Sequence, residues 1–142
     1  MVVLKRAYEP AKASDGTRVL VDRLWPRGVK KEEARLDAWL KDLAPSNALR
    51  HWFHARPRQW LNFRKRYLAE LARPEAAPAL DELYRLAARR ALLTLVYSSK
   101  NTEHNNAVVL KQLLEGMRKP PSSSGPVRAA VARRARAARR RP

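Results

Sequence analysis

Cysteine is absent from the 142 residues, which excludes disulfides and thiolate metal sites. There are only four glycines. None belongs to a glycine-rich run between a strand and a helix, so the sequence holds no phosphate cradle of the dinucleotide-binding kind. No stretch approaches the roughly 20 consecutive apolar residues of a membrane span. The apolar run at residues 2–4 meets Lys5 and Arg6 too early to act as a secretory leader. A cytoplasmic protein without membrane association is the expectation. Acids are scarce, 13 against 31 Lys and Arg, for a net charge of +18. That surplus is uneven, because residues 119–142 carry eight of the basic side chains and no acid.

What is present fits one domain. Hydrophobic residues are 45% of the chain, enough for a single core at this length. Residues 2–8 read as a strand that opens apolar. The runs at 18–22 and 92–97 are apolar and β-branched at their centres, the pattern of strands buried on both faces. Between them the period becomes helical. Leu36, Trp39, Leu40 and Leu43 predict an amphipathic helix over 30–43, ended by Pro45. Ser46 is a natural N-cap for a helix with Leu49, Trp52 and Phe53 inside. Pro57 suits the first turn of the next helix, striped by Trp60, Phe63, Tyr67 and Leu71. Leu80, Leu83, Tyr84 and Ala87 mark another helix, entered after Pro78. Asn101 or Thr102 caps a last one, with Ala107, Leu110, Leu114 and Met117 inside.

The long helical crossover between the two buried strands implies that they are parallel. The expected architecture is a three-layer α/β sandwich, a small, largely parallel sheet flanked by helices. The connection 9–17 is short for a parallel crossover, so the place of the first strand stays open. The domain is expected over 1–118. Residues 119–142 follow as a Pro/Ser linker and a disordered Ala/Arg-rich tail.

Several segments together resemble the YeaO-like family. They are VDRLWPRG at 21–28, WLKDLAPS at 39–46, LRHWF at 49–53, WLNFRKRY at 60–67 and TLVYSSKNTEHNNAVVL at 94–110. The likeness runs over roughly residues 3–114 and leaves the tail out. It implies a three-layer α/β fold in a soluble bacterial protein, and no established activity. Two places depart from the family pattern. His54-Ala55-Arg56 stand where relatives often have Gly-His-Asp, and Asn101 where they often have Asp.

In parallel α/β sheets, ligands bind beyond the carboxyl ends of the strands. Two polar clusters are expected there. One holds Asp22, Arg23 and Arg27; the other holds Lys100, His104 and Asn105. Arg23, Arg27, Lys100 and Asn105 are the candidate ligand-binding residues for a phosphate or carboxylate, helped by free N–H groups near a helix start. Asp22 and His104 are the candidate acid–base pair, His being the side-chain type that titrates near neutrality. The cofactor, if the site uses one, is left open by the sequence. His51 and His54 are three apart on a predicted helix, but no third ligand accompanies them and no metal is expected. Trp39, Trp52, Trp60 and Phe63 at helical spacing read as core rather than as stacking platforms. Two other function classes compete with a small-anion site. One is non-specific nucleic-acid binding through 119–142; the other is an interaction or scaffold protein with no small ligand. Oligomeric state is open.

Overall fold

Residues 1–116 are described by the structure, a computed structural model; the basic tail and the expected boundary at 118 lie outside the described residues. Four strands form one parallel sheet: β1 (Val2–Arg6), β2 (Thr17–Leu20), β3 (Ala38–Trp39) and β4 (Leu93–Tyr97), in the order β1-β4-β2-β3. Every residue of β4 is buried, as its unbroken apolar run requires of a central strand. Leu95 pairs with Leu4 on one side and Val19 on the other. Among the described residues the α-helices are α1 (Lys31–Ala34), α2 (Asn47–Ala55), α3 (Trp60–Leu71), α4 (Ala77–Ala87) and α5 (Asn106–Gly116). None is long and apolar enough to cross a membrane.

Alternation along the strands divides the core. Val19, Val21, Leu93, Leu95 and Tyr97 face the main cluster, with Phe63, Tyr67 and Leu71 of α3, Leu80, Leu83 and Leu86 of α4, and Leu110 and Leu113 of α5. Leu20 and Val96 face the other way, under a thinner cover of Trp25, Leu36 and Trp39. The fold is therefore α/β, with its helices concentrated on one face.

The sheet order explains the short first connection. β1 and β2 are parallel but not neighbours, and residues 7–16 pass across β4 to join them. A charged network fastens this crossing. The Asp15 carboxylate accepts from Lys5 Nζ at 3.0 Å and from Arg18 Nη1 at 2.8 Å. Arg18 Nε donates to Ala34 O at the end of α1, and Thr94 Oγ1 of β4 donates to Asp15 O. Burial alone would raise the Asp15 pKa. The Lys12 backbone N–H and the Lys5 and Arg18 cations outweigh it and hold the carboxyl below the ordinary aspartate value. Gly16 follows at φ 68°, and a Cβ there would lie 2.3 Å from Leu92 O. Only glycine allows Thr17 N–H to reach that carbonyl at 2.8 Å and begin β2 in register.

The expected helix over 30–43 is not formed. Only Lys31–Ala34 is α-helical, Arg35 ends it at φ 47°, and the edge strand β3 follows. The reason lies in where the four apolar side chains go. Leu36 and Trp39 pack on the thin face, while Leu40 and Leu43 join the main cluster. One helical stripe cannot serve both sides of a sheet. Two smaller boundaries also move. Pro57 falls in the turn before α3, and Asn105, rather than Asn101 or Thr102, caps α5 through Val108 N–H at 3.0 Å.

Ser46 caps α2 as expected, its Oγ accepting from Leu49 N–H at 3.1 Å. The same hydroxyl donates to Glu70 Oε2 at 2.6 Å, which ties α2 to α3. Ser46→Ala is expected to lower unfolding free energy by about 1 kcal/mol in a urea titration, the usual worth of an N-cap.

Candidate functional site

Because β1, β4 and β2 are parallel and adjacent, their carboxyl ends share one edge. Asp22 lies just past β2 at that edge. Its Oδ2 accepts from Ser98 N–H at 2.9 Å and Ser98 Oγ at 2.7 Å, and its Oδ1 from Asn106 Nδ2 at 3.0 Å. Asn106 Nδ2 also donates to Val21 O, and Trp39 Nε1 to Asp22 O. One carboxylate thus pins the ends of β2 and β4 to the first turn of α5. Arg6, at the end of β1, holds the same loop from the other side, donating to Ser98 O and Ser99 O at 3.1 and 2.9 Å.

Arg23 is half-buried beside this pin. Its Nη2 reaches Ala44 O only at 3.5 Å, and its Nε is enclosed with no hydrogen-bond partner. An enclosed N–H without an acceptor is uncommon in folded proteins and costs about 1–3 kcal/mol. Nearby, the Tyr67 phenol donates to Leu43 O. Burial, and then the Asp22 and Glu70 carboxylates, push its pKa well above the ordinary tyrosine value. Tyr97 is also raised, by burial and Glu9, with Arg6 and an Asn105 hydrogen bond pulling back. Both phenols are therefore protonated at neutral pH, and neither is a base.

The expected residues differ in how they are engaged. Asn105 is buried and committed, its Oδ1 to Val108 N–H and its Nδ2 to Asn101 O. The N–H groups of Glu103 and His104 are taken by Asn101 Oδ1. Those two amides are thus used internally rather than offered to an anion. His104 lies flat on Trp60, ring centroids 4.6 Å apart and 11° between planes. Among the described residues no hydrogen bond joins Asp22 to His104. Lys100 is exposed, and Arg27 is exposed in the turn that Val29 N–H closes onto Pro26 O. That turn holds Trp25 edge-on against Trp39, on the thin side of the sheet. Of the expected ligand-binding set, Arg23 alone combines partial enclosure with unused hydrogen-bonding capacity. Arg6, Asn106 and Tyr67 are site residues that the sequence did not single out. No group of three or more His, Asp or Glu among the described residues is placed to hold a metal ion.

Residues 1–127 match a family described as the "Inactive DUF488-N3 subclade". The chain belongs to this family. It is 50% identical over 115 residues to the uncharacterized protein YeaO of Escherichia coli K12, covering 80% of this chain and 96% of YeaO. It is 42% identical over 115 residues to the uncharacterized protein Rv3073c of Mycobacterium tuberculosis H37Rv, covering 81% of this chain and 94% of that one. The YeaO-like resemblance and the α/β fold therefore both stand. No solved structure matches the chain. At one of the two departures from the YeaO-like pattern the substitution is conservative in geometry, since an aspartate at Asn101 would accept the same two backbone N–H bonds. At the other, His54 and Arg56 are both exposed.

Proposed function

We propose that this member of the DUF488-N3 family binds a small phosphate- or carboxylate-bearing ligand through Arg23 at the carboxyl edge of the sheet, without turning it over. The observation that carries the reading is the enclosed Arg23 Nε with no partner. A guanidinium presents Nε and Nη2 as a fork matched to two anion oxygens. Here that fork has one weak contact, to Ala44 O. The side chain is only half-buried, so a rotamer change brings the fork to a ligand at the edge. Binding without turnover is supported by the fate of the acid–base candidates. Asp22 already accepts from three donors, and His104 is stacked on Trp60 with no hydrogen bond to Asp22 among the described residues. The family's own description as inactive agrees.

Titration calorimetry with inorganic phosphate tests this. The protein is expected to bind, and Arg23→Gln to weaken binding at least tenfold, about 1.4 kcal/mol. Arg23→Met is expected to lose the ligand while keeping or raising the melting temperature of the free protein, since it removes an unsatisfied buried donor. Unchanged phosphate binding by both variants would sink the reading. A second reading, an interaction protein with no small ligand, is favoured by the internal bonding of Asp22, Asn101 and Asn105. It predicts no phosphate binding and a destabilised Arg23→Met.

A further inference from the structure

The helices α2 and α3 carry a second feature, unconnected with Arg23. Residues 43–69 contain no acid, yet include Arg50, Arg56, Arg58, Arg64, Lys65 and Arg66, together with His51 and His54. Arg50, His51, His54, Arg56, Arg58, Lys65 and Arg66 are all exposed. The next acid, Glu70, is engaged with Ser46 through both carboxylate oxygens. The cations are not scattered at random around the pair. Arg66 and Arg56 sit against the same half-buried indole, their guanidinium carbons 4.3 and 5.3 Å from the Trp52 ring centroid. Arg56 also donates to Trp52 O at 3.3 Å. On the same two helices Phe53, Trp60 and Phe63 form a ladder, and His104 extends it as a half-exposed outer ring on Trp60.

We propose that the α2–α3 pair is a binding face for single-stranded nucleic acid. Phosphates are recognised by cations that lack competing carboxylates, and bases by aromatic and guanidinium planes within reach of those cations. The α2–α3 pair supplies both: Arg58 and Lys65 for the backbone, and the Trp52–Arg56–Arg66 group and the His104 ring for stacking. An anionic membrane or a duplex would use the charge but has no need of the planes. This face lies in the folded body and is independent of the basic tail, to which composition first points.

The test uses the full chain and fluorescein-labelled 15-mers, oligo-dT and oligo-U, in fluorescence anisotropy from about 50 to 200 mM salt. The wild type is expected to bind both. The double variant Arg56→Glu/Arg66→Glu is expected to weaken Kd more than tenfold at an unchanged melting temperature. The variant Arg58→Gln/Lys65→Gln is expected to lower the slope of log K against log salt by about 1.4, roughly 0.7 per phosphate contact on a single strand. A third protein, with its tail arginines from Arg128 onward changed to Gln, is expected to keep the loss caused by Arg56→Glu/Arg66→Glu. The proposal fails if the charge reversals leave Kd unchanged. It also fails if their effect vanishes once the tail is neutralised, or if a 15-base-pair duplex or phosphatidylserine vesicles bind as tightly as the single strands with the same loss.

Discussion

Replacing Asp15 by alanine is expected to lower the unfolding free energy by about 3–5 kcal/mol, the usual effect of removing one partner from a buried ion pair. The carboxylate lies between Lys5 and Arg18, and Arg18 is only 3% exposed. Without Asp15, two cations face each other across the sheet with no counter-charge, and the crossing over β4 loses its anchor. The effect depends on pH with a definite sign. The folded Asp15 pKa is depressed, because the Lys12 N–H, Lys5 and Arg18 outweigh burial. Its contribution is therefore complete above the unfolded value, about pH 4, and is lost as pH falls through the lower folded value. Urea titrations should show the full difference between wild type and Asp15→Ala at pH 7, and a smaller one near pH 3. A constant difference across that range would contradict the ion-pair account.

Asp22→Ala is expected to cost about 3 kcal/mol, because three donors, Ser98 N–H, Ser98 Oγ and Asn106 Nδ2, lose their acceptor together. Asp22→Asn keeps one acceptor oxygen and should lose about half as much. Hydrogen exchange gives the local reading: the Ser98 amide should exchange much faster in Asp22→Ala, while amides inside β4 speed up only in proportion to the loss of global stability. A carboxylate kept for proton transfer would behave otherwise, with Asp22→Asn leaving stability and Ser98 exchange unchanged.

The parts of the fold that were legible are those whose signal is local. β4 reads directly because LLTLVY is apolar on both faces, and only a central strand is buried that way. The stripe Trp60, Phe63, Tyr67 and Leu71 reads directly because all four meet one neighbour, the main cluster. β3 was not legible. Leu36, Trp39, Leu40 and Leu43 keep a helical period by chance of spacing, while the chain passes from one side of the sheet to the other. That division is set by Arg18 and Leu20, whose N–H and C=O groups recruit residues 37–40 as an edge. Nothing in the local pattern encodes it.

The candidate site divides in the same way. That the ends of β2 and β4 meet followed from parallel pairing, which a long helical crossover implies. Which residues the meeting consumes did not follow. Asn101 and Asn105 are both strong cap formers, and only the packing of Ala107 and Leu110 into the main cluster decides between them. Arg6 was invisible because β1 could not be placed until residues 7–16 were seen to cross β4. Arg23 was legible as a cation at a strand end. Its enclosed, unpartnered Nε belongs to the tertiary surroundings alone.

The most direct test of an anion site at Arg23 is a crystal of the protein soaked in tungstate, a heavy tetrahedral oxyanion located by its anomalous signal. A peak is expected with an oxyanion oxygen within about 3 Å of Arg23 Nε or Nη2, absent from crystals of Arg23→Gln. Tungstate bound only elsewhere, with Arg23 Nε still enclosed and without a partner, would contradict it.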